Sequence, residues 1–586
     1  MARTKYLGNI KHFLFFSIII FFIFIPHFYN QRLEKNIFKI DFYLIWIAGC
    51  FCWIYNLIYS PFSFNRLNII FLIGCTYVLV SWLFNTFLDE NSKHVLISVI
   101  CFIGITHFLQ INYDSKFYLG TVAAILFVYL VQVYIGLFQA VENNWESLTI
   151  KGSLYNSGFF GNYLASMIPL LFSSFFSKTS FKLYIRLTFF IIFFIVIALL
   201  CLTIARSAII GTIIGCLAIL LYHKKDIKLK KYLTISIISF LVIPLLVIAM
   251  YKLKRDSASG RLTIYKVSLN IIKDHTLTGV GPNRFSAVYN NYQSEYFKKL
   301  QTPYQTQLLA DNTFEAFNSV IQMLVEYGFV GFFIIIGFIY QLVKEQKNTD
   351  EIPNKMWLRI GSIGCLFSII VSSLFSNPLH VTPILLIFAY HLSVVLPKQK
   401  NNILLLNRQT LFPLFIFITF ASFVFYYAII HYKGEIVWQE ASESAKYSTF
   451  SNAKNQYEKA YPILKYNGDF LFNYGAEASL ANDYNLAITL LEDAKKYNSF
   501  SNLFLFLGNA YLGVKQFGLA EKNYLQAIYI APSHIYPKFQ LIQLYKKWNK
   551  PELANMWTIK TLQYPIKIKS TLANDLLNEL KEDIRK

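Results

Sequence analysis

Three segments of this chain hold the residue types and spacings that point to chemistry. Arg206, in TIARSAIIGTIIG, stands at the start of an apolar run. A charge at membrane depth costs about 2.5–3.5 kcal/mol even on a lenient insertion scale, so its presence invites a functional role. Snorkelling of the guanidinium to the interface is the plainer alternative. The second segment, GRLTIYKVSLNIIKDHTLTGVGPNRF, opens on Gly260 and Arg261, carries Asp274 and His275 at a helix end, and closes on Gly279, Gly281, Arg284 and Phe285. Its glycines permit a tight turn with open backbone N–H groups, and its arginines offer two-pronged contact to phosphate oxygens. Gly279-x-Gly281 follows no strand and opens no helix of the dinucleotide-binding kind, so a nucleotide site is rejected. In the third, ADNTFEAFNSVIQMLVEYGFVG, Asp311, Asn312 and Glu315 precede an apolar run, and Asn318, Gln322 and Glu326 enter it at i, i+4 and i+8. That spacing puts the three on one helix face, which turns away from lipid toward interhelical hydrogen bonds or a substrate path.

The elements that must position these residues are membrane spans. Of 586 residues, 55% are hydrophobic and only 15% charged, which excludes an ordinary soluble globular protein. Up to residue 431 the apolar residues collect into stretches of about 18–25, the length that crosses roughly 30 Å of hydrocarbon as helix. Thirteen spans are predicted, near 12–28, 38–59, 67–88, 93–112, 117–140, 158–176, 185–203, 206–222, 232–251, 316–343, 357–376, 379–397 and 410–431. The first run has no small-residue cleavage site after it and reads as an uncleaved span.

The net charge of +22 is spread over short loops between the spans, so it reads as a topology signal and not as a nucleic-acid surface. With the N-terminus in the cytoplasm, clusters such as Lys178, Lys182 and Arg186, or Lys224 to Lys231, all fall on the cytoplasmic side. An odd number of spans then places both the 252–315 loop and the polar region 432–586 outside, in one compartment. All seven cysteines lie inside apolar stretches, so no disulfide is expected, and Cys50 and Cys52 read as packing and not as a metal pair. No metal and no cofactor is expected.

Region 432–586 repeats itself. Ala453, Ala487 and Ala520, and likewise Ala460, Ala494 and Ala527, recur at 33 or 34 residues, and Gly475 pairs with Gly508. This period, with a small residue on the first helix and alanine on the second, resembles tetratricopeptide repeats, which stack into a solenoid and bind partners more often than they catalyse. The predicted fold is therefore all-α: a transmembrane domain at 1–431 of about 12–13 spans, with a large extracytoplasmic loop, followed by a repeat solenoid at 432–586.

Taken in order, Arg206-Ser207-Ala208, Gly260-Arg261, Gly279 to Phe285 and Glu326 to Gly331 resemble the motifs of the O-antigen ligase and O-antigen polymerase superfamily, as does NSGFFGNYLASMIPL with Gly161, Asn162 and Ala165. The resemblance covers roughly residues 120–395. It implies a metal-independent, inverting glycosyl transfer at the outer face of the cytoplasmic membrane, from an undecaprenyl-diphosphate-linked glycan to lipid A-core, a growing polymer or a protein hydroxyl. It further implies that Arg206 and Arg261, assisted by Arg284, hold the diphosphate, and that Gly279, Gly281, Asn312, Asn318, Gln322 and Glu326 line the site or its path. The repeats would recruit an acceptor or a protein partner.

Where the ligases carry a His-Asn pair, whose His is the candidate for activating the acceptor hydroxyl, this chain has Phe317-Asn318. The base therefore has to be sought among Asp311, Glu315 and His275. A transporter or flippase is the rival class, opposed by the scarcity of ionisable residues within the spans and the absence of inverted halves. A membrane-anchored repeat scaffold without catalysis is the other.

Overall fold

A computed structural model describes residues 40–585 apart from 60–65, 86–88, 113–114, 148, 155, 177–181, 224–254, 300–301, 347–355, 398–407, 448, 566 and 568–569. The regular elements among the described residues are all helices. Seven are long and apolar enough to cross a bilayer and four more are shorter apolar helices, so eleven of the thirteen expected spans have a helix. The other two, 12–28 and 232–251, lie outside the described residues, as does the lysine cluster from 224 to 231.

Two of these spans take a different form from the predicted one, and one predicted break is present. The stretch 158–176 is not one helix but Ser157–Ala165 and Ile168–Ser173 with a final 3-10 turn. Pro169 stands at the start of the second piece, where its missing N–H costs nothing and continuation of the first helix is blocked. Thr203 to Ala205 do separate two helices, with Ile204 in the left-handed region at φ 51°. The helix of the last span runs on past 431: Arg408–Tyr447 is one 40-residue helix, about 60 Å long at 1.5 Å per residue. Its far end already packs in the core of the repeats through Trp438 and Ala441, so the predicted boundary at 431/432 falls inside an unbroken helix.

Beyond it, helix pairs follow each other: Gly468–Leu480 with Tyr484–Ala494, Ser501–Gly513 with Phe517–Ile530, and Ile535–Lys547 with Pro551–Gln563, closed by Thr571–Arg585. Within the pairs the turns repeat, with Asn482, Lys515 and Asn549 all left-handed at φ 63°, 59° and 56°. Ala487, Ala520 and Ala554 are buried at matching places, because only a small side chain lets the paired helices approach so closely. The result is the expected solenoid, read from its own period.

Two contacts position the site. The helices Arg206–His223 and Met356–Ser373 meet through Gly211, Gly215 and Gly364, where a Cβ on Gly211 would lie 2.3 Å from the Ser368 carbonyl oxygen. Small residues give this close packing in a bilayer, where no hydrophobic force drives helices together. It brings Arg206 beside the end of its partner, where Ser372 donates to the Ser207 carbonyl at 3.1 Å. The loop, in turn, forms the helices Arg255–Asp274, Phe285–Lys299 and Tyr304–Leu309 around Val267, Ile271, Phe285 and Tyr289, with Ala316 and Val325 completing that core.

The loop also lies against the repeats. Asn290 donates to the Ser499 carbonyl, Gln293 to that of Ile530 at 2.7 Å and Ser294 to Gln526 at 2.9 Å.

Candidate functional site

The site begins at a break. Gly328, at φ 61° and ψ −166°, interrupts the helix Ser319–Gln346, and the loop turn 276–281 fills the interruption. The Phe329 and Val330 N–H groups donate to the carbonyls of Thr276 (3.0 Å) and Leu277 (3.2 Å), and those of Val280 and Gly281 donate to Val325 (2.9 Å) and Glu326 (3.0 Å). Backbone groups freed within a membrane helix must find such partners. The Gly279 N–H donates to His275. The glycine turn is thus an interlock whose N–H groups are already used, and not the open anion cradle that its spacing suggested.

Both glycines are required by geometry. Gly279 has φ 69°, and a Cβ there would lie 2.4 Å from the Glu326 carbonyl carbon. Gly279→Ala is expected to cost more than the roughly 1–2 kcal/mol of the left-handed backbone alone, since the added methyl also collides with main chain. A thermal unfolding midpoint that does not move would contradict the interlock.

The interlock places Glu326, which is buried and accepts from the Asn283 N–H at 3.1 Å and from Gln322 at 3.1 Å. Gln322 accepts from Asn377 at 2.9 Å, and Asn377 also donates to Glu315 at 3.1 Å. The other Glu315 oxygen faces His380 Nδ1 at 3.5 Å, while His380 Nε2 lies 3.5 Å from the Gln322 amide nitrogen. Asn318 caps the helix, accepting from the Val320 and Ile321 N–H groups at 3.0 and 3.1 Å. The polar stripe Asn318, Gln322, Glu326 is therefore one side of a continuous network that ends at a half-exposed imidazole.

Arg261 enters from the loop. Its guanidinium donates to the Phe375 carbonyl at 2.6 Å and lies 5.3 Å from the Phe317 ring centroid. Burial, and beyond it the positive charge of Arg206, hold Arg261 below its usual pKa although Tyr265 opposes them. Two guanidinium groups close enough to repel form a patch of positive charge that an anion would relieve. Phe317 is itself in the left-handed region at φ 51°, rare for an aromatic residue and typical of a functional turn.

The other predicted residues go elsewhere. Arg284 donates to the Lys496 carbonyl at 3.0 Å and Asn312 accepts from the Ser501 N–H at 2.7 Å, both in the contact with the repeats. His275 is exposed at the turn, and Asp274 accepts from Tyr292 at 2.8 Å. Asp311 faces His534 of the repeats at 3.3 Å. Burial raises the Asp311 pKa, but the hydrogen bond and charge of His534 and the Asn312 N–H outweigh it and hold the carboxyl below the ordinary range.

A carboxyl depressed in this way stabilises above its unfolded value of about 4, and the contribution is lost as pH falls through the lower folded value. Acid is therefore expected to loosen the loop from the repeats in the wild type. Asp311→Asn removes that acid-sensitive step, as limited proteolysis across a pH series would register.

His380, Asn377 and Tyr265 are the residues of the candidate site that sequence reasoning missed. The available signal was SNPLH, a polar Asn-Pro turn between two apolar runs, here a 3-10 turn at Pro378–His380.

Among curated proteins no sequence matches the chain. One solved structure, the crystal structure of the APC/C hetero-tetramer Cut9-Hcn1, is similar at 11% identity over 94% of this chain and 87% of its own, with a TM-score of 0.23, too low to carry an argument. The O-antigen ligase family model matches residues 190–336, a stretch that holds Arg206, Arg261, Glu315 and Glu326 and stops short of His380. With its apolar helices the chain is a multi-pass membrane protein, and its residues 190–336 are similar to the O-antigen ligase family.

Proposed function

We propose that this protein is a membrane glycosyltransferase that moves a glycan from undecaprenyl diphosphate to an acceptor hydroxyl at the outer face of the cytoplasmic membrane. The observation that carries this reading is the convergence, beside Phe317-Asn318, of two arginines with a Glu315–His380 pair, supplied by four segments of the chain. Arg206 and Arg261 bind the diphosphate. Glu315, fixed by Asn377, faces His380 Nδ1 and favours the tautomer whose Nε2, now in long contact with the Gln322 amide, takes up the acceptor's proton.

In the transfer, the acceptor hydroxyl takes the place of the long Gln322 contact and gives its proton to His380 Nε2. Its oxygen attacks the anomeric carbon, and the carbon–oxygen bond to the diphosphate breaks with the electron pair leaving on the diphosphate. The arginines stabilise that growing negative charge. A single displacement of this kind inverts the anomeric centre. The repeats, which pack on the loop beside the site, present the acceptor or its carrier.

Purified protein given a lipid-diphosphate-linked glycan and a panel of acceptor hydroxyls is expected to release lipid diphosphate and form acceptor-linked glycan. Flux of the lipid-linked glycan across proteoliposomes without any linked product would overturn the reading in favour of a transporter.

A further inference from the structure

A second cluster of chemistry-bearing side chains lies where the last helix leaves the membrane body for the repeats. Glu90 and His94 stand one turn apart on the helix Glu90–Ile111, and His431 projects from Arg408–Tyr447. His431 Nδ1 is 3.2 Å and His94 Nε2 3.5 Å from the same Glu90 oxygen, and the donor atoms of all three lie within 4.8 Å of one another. All three residues are buried, at 2%, 2% and 8% exposure.

We propose that Glu90, His94 and His431 form a binding site for a divalent transition-metal ion of the zinc class. Zinc bonds of about 2.0–2.1 Å in a tetrahedron set neighbouring donor atoms about 3.3 Å apart, close to the two Glu90–histidine separations, and the two imidazole donors lie within 4.8 Å of each other. Two imidazoles and one carboxylate are a zinc ligand set that leaves a fourth position for water. An ion among the three donors adds positive charge at the buried Glu90 carboxylate, beside that of Lys93. The surroundings hold the rings as a ligand shell does: Trp46 packs edge-on to His94 at 5.0 Å, and Tyr427 covers His431 at 3.9 Å.

The ion would fasten together parts that are far apart in sequence. Beside Glu90, Ser92 donates to the Pro282 carbonyl at 2.6 Å, in the turn that seats Glu326, and the Glu90 N–H donates to the Tyr466 carbonyl of the repeats at 3.4 Å. Metal at this place clamps the last helix and the repeats to the turn of the candidate active site, and takes no part in transfer.

The test uses the full chain purified in detergent with a tag free of histidine, loaded with zinc, desalted and measured by elemental mass spectrometry. The wild type is expected to retain about one ion per chain and the Glu90→Gln, His431→Ala variant none, with a chelator lowering the unfolding midpoint of the wild type alone. A wild type that retains no ion would overturn the proposal and leave only the Glu90–His431 contact. Full retention by the variant would overturn it equally. The wild-type measurement stands whether or not the variant folds.

Discussion

Replacing His380 with alanine is expected to lower glycan transfer by about 10²–10⁴-fold, the share that a positioned general base contributes, with the affinity for the lipid-diphosphate donor unchanged. The split follows from position: His380 faces Glu315 and Gln322, while Arg261 lies toward Phe317 and Phe375. Glu315→Gln keeps the hydrogen-bonding shape but removes the charge that stabilises the imidazolium formed on proton uptake. It is therefore expected to lose most of the same factor. Partial recovery of His380→Ala by added imidazole would distinguish a proton-transfer role from a purely structural one. Unchanged transfer by His380→Ala in a protein whose wild type is active would remove the base assignment and leave the glycosyl-transfer reading intact.

The second large effect concerns the donor. Arg206→Ala and Arg261→Ala are each expected to reduce transfer by about 10²–10³-fold, comparable with loss of one preorganised donor to a developing anion. Together they are expected to fall short of the product, because residues that act on one charge as a unit do not add. Unlike His380→Ala, they also weaken binding of the intact lipid diphosphate. Arg206→Lys and Arg261→Lys would recover only part, since an ammonium keeps the charge and loses the two-pronged geometry. Arg284→Ala, by contrast, is expected to act through the contact of the loop with the repeats, where it meets the Lys496 carbonyl.

The sequence reading succeeded where the deciding physics is local. A helical period puts Asn318, Gln322 and Glu326 on one face without reference to anything else, and the Gln322–Glu326 hydrogen bond realises it. The 33- or 34-residue period of the repeats is equally self-contained, and the left-handed Asn482, Lys515 and Asn549 follow it.

It missed what packing decides. Glu315 and His380 are 65 residues apart, and they meet only because Gly211, Gly215 and Gly364 draw two helices together and set the turn Pro378–His380 over the loop. The glycine turn was misjudged for a related reason. Its φ values can be foreseen from residue type, but whether its N–H groups stay open depends on the broken helix that occupies them. The domain boundary was set where hydropathy falls, whereas backbone hydrogen bonding continues through Gly434 to Tyr447 because nothing in that stretch interrupts a helix. Asp311 and Asn312 showed the right chemistry for a site, yet the repeats claim both.

In the proposed transfer one cluster divides the work, with arginines for the donor and His380 for the acceptor. The most direct test is a single-turnover assay in lipid nanodiscs that follows donor binding and acceptor-linked product separately for the wild type, Arg206→Ala/Arg261→Ala and His380→Ala. The predicted result is loss of donor binding and product in the arginine variant, and loss of product with donor binding intact in the histidine variant. Product formed at the wild-type rate by the arginine variant would contradict the account.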